Sequence, residues 1–218
     1  MVNRQRNRLV TWLTFVSLLI PLLLVSDHIN ATENNKPIRL MVLGDSLSAA
    51  YGLKANEGWV SLLQNMWNEN ASGVDVINAA ISGETTDGGL ARLPRLLEEH
   101  QPTHVLIELG GNDGLQGHNV NKIRANLRQM VSLSQSSGAQ VMIQEMYIPT
   151  NYGRRYNKLF TESFALIAEE KEIPLIPFFL EDIALDASLM QRDGIHPNKT
   201  AQPLIAEFMR VELEKLLF

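Results

Sequence analysis

The chain has 218 residues, 45% of them hydrophobic and 20% charged, a balance that suits one globular domain with a sizeable core and excludes a largely disordered protein. The formal net charge is −5, so the basic face that a nucleic-acid partner requires is not expected. The absence of cysteine excludes a thiol nucleophile, a disulfide framework, a lipid-modified cysteine and a thiolate zinc site.

The chain begins with Arg4, Arg6 and Arg8, runs through an apolar stretch from Leu9 to Val25, and leaves it through the polar SDHINATENN. This is the layout of a secretory signal, expected over 1–31 with cleavage after Ala31, although Ile29 is bulkier than a small-residue cleavage motif prefers. An uncleaved anchor is the competing reading, because the apolar run is near the lower length for a membrane span. Pro21 and the basic start favour cleavage. Cleavage removes three Arg and one Asp and leaves a more acidic domain over 32–218, with no membrane span.

IRLMVL (38–43) is a continuous apolar run and reads as a buried strand. Trp59, Leu62, Leu63 and Met66 then fall at helical spacing. VDVIN (74–78) is a second strand, preceded by Gly73 and followed by the small-residue loop AAISG. Leu90, Leu93 and Leu97 mark a second helix that Thr85 or Thr86 caps, with Pro94 inside it as a candidate kink. HVLIEL (104–109) is a third strand, and a polar loop leads from it to Ile123, Leu127 and Met130 on a third helix. QVMIQEM (140–146) is a fourth strand. A helix follows over about 155–171, with Leu159, Phe160, Phe164 and Ile167 on one side. IPLIPFF (173–179) holds a short strand hemmed by prolines, and Ile205, Phe208, Met209, Leu213 and Leu216 belong to an amphipathic terminal helix. Strand–helix alternation of this kind predicts a parallel sheet covered by helices on both faces.

In such sheets ligands sit outside the carboxyl ends of the strands. Four segments converge there: Gly44, Asp45 and Ser46 after the first strand; Ala80 to Gly83 after the second; GGND (110–113) after the third; and DGIHP (193–197) before the last helix. Together they hold what acyl transfer needs. A serine hydroxyl is a weak nucleophile without an adjacent base. His196 is the candidate base for Ser46, since imidazole accepts and returns protons near neutrality. Asp193, three residues earlier, can fix its tautomer. The main-chain N–H groups of Ser46 and Gly83 and the Asn112 amide are candidate donors for a developing oxyanion.

GDSLS (44–48), the Gly83 loop, GGND and DGIHP resemble, in order and spacing, the four blocks of the SGNH (GDSL) hydrolases, over nearly the whole chain after the leader. NAAISGETT (78–86), ARLP (91–94), ELGGNDGLQG (108–117), NYGRRYN (151–157) and DGIHPN (193–198) are more closely similar to the bacterial periplasmic thioesterase I group, multifunctional acyl-CoA thioesterases, lysophospholipases and arylesterases. The resemblance implies a single-domain, flavodoxin-like, three-layer α/β/α fold. It implies Ser46 as nucleophile, His196 as base, Asp193 as its orienting acid, and Ser46, Gly83 and Asn112 as the oxyanion hole. It further implies a periplasmic serine esterase or thioesterase, a monomer that uses no metal or cofactor and acts on small acyl esters, thioesters or lysophospholipids. No G-x-S-x-G elbow surrounds Ser46, because Ser48 stands where the second glycine would be; this argues against the common α/β-hydrolase arrangement.

Each residue also has a plainer reading. Ser46 alone reads as a turn or helix cap. Asp45 and Asp113 read as loop scaffolding, and Ser48 and Ser82 as loop-shaping residues. His100 and His104 have the spacing of a helical zinc pair, but Pro102 lies between them, so edge or surface histidines are expected; His118 is expected to be solvated. Arg154 and Arg155 are expected to be solvated at a helix start, with a phosphate contact as the alternative. Met41, Met142 and Met146 are expected in the core, and loops 109–118 and 146–154 at the substrate. The rival functions are a carbohydrate O-acetylesterase, a catalytically inactive lipid- or glycan-binding protein, and a metal-dependent hydrolase.

Overall fold

A computed structural model describes residues 37–218. The expected signal segment, 1–31, and its cleavage site lie outside the described residues. Five strands form one all-parallel sheet: β1 (Ile38–Gly44), β2 (Val74–Asn78), β3 (His104–Glu108), β4 (Gln140–Gln144) and β5 (Leu175–Ile176), in the order β2-β1-β3-β4-β5. This is the flavodoxin-like doubly wound order, whose direction of winding reverses between β1 and β3.

Sequence chemistry explains the order. β3 is buried at all five positions and β1 at its last five, as central parallel strands covered on both faces must be. The edge strands differ: β2 mixes exposed with buried positions, and β5 is only two residues long. Helix α1 (Trp59–Glu69) packs with the terminal helix α6 (Gln202–Leu217), while α2 (Thr86–His100) packs with α4 (Val120–Ser136), which in turn packs with α5 (Arg154–Lys171). Gln202 Oε1 accepts the Trp59 N–H at 2.9 Å and Glu214 accepts the Trp67 indole N–H at 3.0 Å, tying α1 to α6. Thr85 caps α2 by accepting the Gly88 N–H, and α2 continues through Pro94, whose ring lies on the exposed side.

Three expectations need correction. The segment after β3 is not simply a polar loop: Gly111–Leu115 form a short helix, α3. Its glycine-rich sequence has poor helix propensity, so tertiary contacts hold it, above all Asp113, which accepts from the Thr86 N–H and Oγ1–H at 2.7 Å each. Leu159 is exposed while Phe160, Phe164 and Ile167 are buried, so it sits off the apolar stripe of α5. His104 is buried, because it opens a central strand; its Nδ1 lies 2.8 Å from Thr103 Oγ1, and burial lowers its pKa. Met41 and Met142 are buried in the core as expected, whereas Met146, also buried, lines the groove beside the candidate site.

Candidate active site

The sheet delivers β1 and β3 side by side, so the turns that follow them meet. Gly44 pairs with Glu108 in the β1–β3 register. A Cβ on Gly44 would stand 2.5 Å from Glu108 Oε2, so only glycine lets the strand end against that carboxyl group. The chain then turns at once: the Ala49 N–H donates to Asp45 O at 2.9 Å and the Tyr51 N–H to Ser46 O at 3.3 Å. Asp45 Oδ1 accepts the Leu47 N–H at 3.0 Å. The turn leaves Ser46 half-buried at its apex, with its Oγ facing the DGIHP loop.

His196 Nε2 lies 2.9 Å from Ser46 Oγ, and His196 Nδ1 lies 2.7 Å from Asp193 Oδ2. With Nδ1–H donating to the carboxylate, Nε2 is free to accept the serine proton. The other oxygen of Asp193 accepts the Ile195 and His196 N–H groups at 3.0 Å each. Partial burial pushes the Asp193 carboxyl up, but these main-chain donors and the His196 ring outweigh it and bring its pKa down to about 2. The loop is latched to the nucleophile turn: Gln191 Nε2 donates to Tyr51 O at 2.8 Å, and the Gln191 N–H donates to His196 O at 2.7 Å. The Tyr51 ring lies against the imidazole, tilted by 30° with centroids 4.2 Å apart.

Two further segments complete the rim. Gly83 follows β2 with φ +80, a left-handed conformation that favours glycine. Open space lies where its Cβ would be, so its role is conformational and no protein group crowds it. Among the described residues, the main-chain N–H groups of Ser46 and Gly83 have no protein acceptor. Asn112 Nδ2 donates to Glu84 O at 2.9 Å and to Asp45 Oδ2 at 3.1 Å, so both of its N–H groups are engaged. A substrate oxygen must therefore share or replace one of these acceptors. The neutral Glu84 carbonyl is the weaker of the two.

A groove of about 610 Å³ opens beside Ser46, Asn112 and His196, within the range of small-molecule sites. Leu115, Met146, Ile148 and Pro149, in the loops expected to meet substrate, line it, and so does a second apolar set, Phe178, Leu180, Leu185 and Met190. This second set was not legible in the sequence, where 178–190 is apolar without a regular period. Tyr51 and Glu108 also escaped notice. Asp45, expected to be scaffolding, does hold its turn, and it also fixes Asn112. Asp113 anchors α3 to α2, and Ser48 donates to Glu108 at 2.6 Å. His118 is half-buried, with Nδ1 3.4 Å from Asp113 Oδ1, so it is less solvated than expected. Arg154 and Arg155 are exposed in the first turn of α5. Among the described residues, no group of three or more acidic or histidine side chains converges to hold a metal, and no helix is long and apolar enough to cross a membrane.

The GDSL-like Lipase/Acylhydrolase family model matches residues 42–202. The chain belongs to this family. It is 46% identical over 178 residues to Thioesterase 1/protease 1/lysophospholipase L1 of Escherichia coli (strain K12), covering 82% of this chain and 84% of that one. It is 48% identical over 179 residues to the Arylesterase of Vibrio mimicus, covering 82% and 90%. Among solved structures, the psychrotrophic esterase EstA from Pseudoalteromonas sp., inhibited by monoethylphosphonate, superimposes with a TM-score of 0.81 at 52% identity, covering 82% of this chain and 98% of that chain. This GDSL-family chain is a serine esterase.

Proposed function

We propose that Ser46, His196 and Asp193 carry the hydrolysis, with the Ser46 N–H, Gly83 N–H and Asn112 Nδ2 as oxyanion donors. The observation that carries this reading is the relay of 2.9 Å and 2.7 Å from Ser46 through His196 to Asp193, at the mouth of an apolar groove. Ser46 Oγ attacks the acyl carbonyl while His196 Nε2 takes its proton. The carbonyl electrons move onto oxygen, where the three donors hold the charge. His196 then protonates the leaving alcohol or thiol, and an acyl-serine remains. Water, deprotonated by the same imidazole, attacks the acyl-serine, and the proton returns to Ser46 as the acid leaves. Throughout, Asp193 keeps the imidazole in one tautomer and balances the imidazolium charge.

The groove favours acyl chains longer than acetyl, since its lining is largely apolar. That speaks against the O-acetylesterase reading and for aryl esters, acyl thioesters and lysophospholipids, the substrates named by the similar proteins. The N-terminal sequence supports export to the periplasm with cleavage after Ala31, and we infer a monomer that uses no metal or cofactor. Export removes the enzyme from cytosolic coenzyme A thioesters, so an envelope ester is the better physiological candidate.

The test is hydrolysis of p-nitrophenyl esters from acetyl to palmitoyl, with chelator present, by the 32–218 protein and its Ser46→Ala variant. Each methylene that enters the groove is worth up to about 0.8 kcal/mol, roughly fourfold in kcat/KM. We expect kcat/KM to climb with chain length until the groove is full, and the variant to lose about 1,000-fold or more. Full activity of folded Ser46→Ala would overturn the nucleophile assignment. A maximum at acetyl would return the O-acetylesterase reading.

A further inference from the structure

Behind the nucleophile turn lies a carboxyl pair that the proposed mechanism does not use. Glu108, the last residue of β3, is fully buried, and Asp45 is nearly so. Glu108 Oε2 accepts from Ser48 Oγ at 2.6 Å and from the Asp45 N–H at 3.2 Å. Its other oxygen, Oε1, is buried and receives no donor. Asp45 is surrounded differently: Oδ1 accepts the Leu47 N–H and Oδ2 accepts Asn112 Nδ2. The Asp45 main-chain N–H sits on Glu108 Oε2, so the two buried carboxyl groups are neighbours beneath the turn.

Two adjacent buried carboxylates cannot both be ionised at modest cost, so one keeps a proton. The donors decide which. Asp45 has two N–H groups on its oxygens and is the natural anion. Glu108 has an oxygen with nothing to accept, which is where an O–H belongs. We propose that Glu108 is held as a neutral carboxylic acid that donates to an ionised Asp45, and that this pair positions the oxyanion donor Asn112 and the Ser46 turn. Burial and the facing Asp45 charge push the Glu108 pKa well above the carboxylate range, in keeping with this placement. Burial pushes the Asp45 carboxyl up to about 6, with the Leu47 N–H opposing it, so Asp45 is ionised at neutral pH; it is faced by His196 and Asp113 in addition to Glu108. Of these His196 favours its charge and Asp113 opposes it.

The pair has a mechanical consequence. Asn112 keeps one N–H on the charged Asp45 while its other N–H leaves the Glu84 carbonyl and donates to a substrate oxygen. Its amide then turns about a fixed anchor, which limits the reorganisation to the exchange of one acceptor. Glu108 and Asp45 are positioning residues in this scheme, since neither touches the acyl group. The inference rests on the oxyanion role proposed for Asn112.

The two carboxyl groups should respond in opposite ways to their amides. Glu108→Gln supplies an N–H toward Asp45 and a carbonyl for Ser48 Oγ and the Asp45 N–H, so every bond survives. Asp45→Asn puts an NH₂ where only acceptors fit. The experiment combines p-nitrophenyl ester kinetics of both variants with infrared difference spectra of the wild type in H₂O and D₂O at neutral pH. We expect a deuterium-sensitive band of a buried protonated carboxylic acid in the wild type, absent from Glu108→Gln. We expect Glu108→Gln to keep kcat and KM within a factor of about three. Asp45→Asn should lose kcat by about 100-fold with KM little changed, as for a contact made only in the transition state. The absence of the infrared band overturns the proposal, as does a Glu108→Gln protein that is inactive or unfolded, or an Asp45→Asn protein as active as the wild type. The infrared band does not depend on catalysis. Its presence in a protein whose kcat is insensitive to Asn112 would therefore uphold the shared proton and overturn only the oxyanion reading.

Discussion

Asn112→Ala tests the oxyanion role proposed for this side chain, because its resting bonds predict a loss of stability that a melt reads separately from the loss of kcat. At rest its Nδ2 donates to Asp45 Oδ2 and to Glu84 O. Losing both bonds removes about 0.5–1.5 kcal/mol each from the folded state, about 1–3 kcal/mol in all. For a domain of this size that lowers Tm by about 2–4 °C per kcal/mol, so a drop of roughly 2–12 °C is expected. In the reaction the same substitution removes one of three donors, worth about 2.7–4 kcal/mol, or about 100- to 1,000-fold in kcat. KM should hardly move, because the donor meets charge that exists only in the transition state. The assay is p-nitrophenyl ester hydrolysis normalised to sites titrated with an organophosphonate, alongside a thermal melt. In a Ser46→Ala background, Asn112→Ala should add almost nothing, since the two residues act as a unit. A kcat loss below about tenfold, or a loss confined to KM, would refute the assignment.

Two other outcomes follow from the geometry around His196. Asp193 has its pKa lowered to about 2, so it stays ionised across the working range. A depressed carboxylate adds stability that is complete above its unfolded value and is lost as pH falls through its folded one. Melting curves of the wild type and Asp193→Asn should therefore converge as pH drops from about 4 to about 2, and a gap that stays constant over that interval would count against the shift. The Tyr51 ring, 4.2 Å from the imidazole centroid, should contribute about 0.5–1.5 kcal/mol to holding it. Tyr51→Leu is expected to lower kcat about 2- to 12-fold at constant KM, and an unchanged kcat would reduce the pairing to a surface contact.

The parts of this molecule that were readable in the sequence are those set by short-range pattern. Continuous apolar runs placed four of the five strands to within a residue or two, and helical spacing located α1, α2, α4, α5 and α6. Ser46, Asp193, His196, Gly83 and Asn112 could be singled out because acyl transfer demands those chemistries at strand ends, and the structure brings them to one rim. What escaped depends on contacts between distant segments. The helix α3 has the composition of a loop and is held by Asp113 reaching Thr86, 27 positions away in sequence. The apolar lining over 178–190 has no period to detect because it is built from turns. Tyr51 reads as an ordinary turn residue until the DGIHP loop folds over it.

Glu108 is the most instructive of these. In sequence it is the polar end of an apolar strand, where a carboxylate would be expected to reach water. The β1–β3 register sets it opposite Gly44, and the missing side chain there draws the Glu108 carboxyl group inward, beneath the nucleophile turn. An ion at that depth needs compensation that Ser48 and a single main-chain N–H do not supply. A proton supplies it instead, and the neighbouring anion, Asp45, gives that proton a direction. The same register that aligns two central strands thus fixes the charge state behind the active site. A one-residue slip between β1 and β3 would separate Glu108 from Gly44 and take both the core packing and the oxyanion anchor with it.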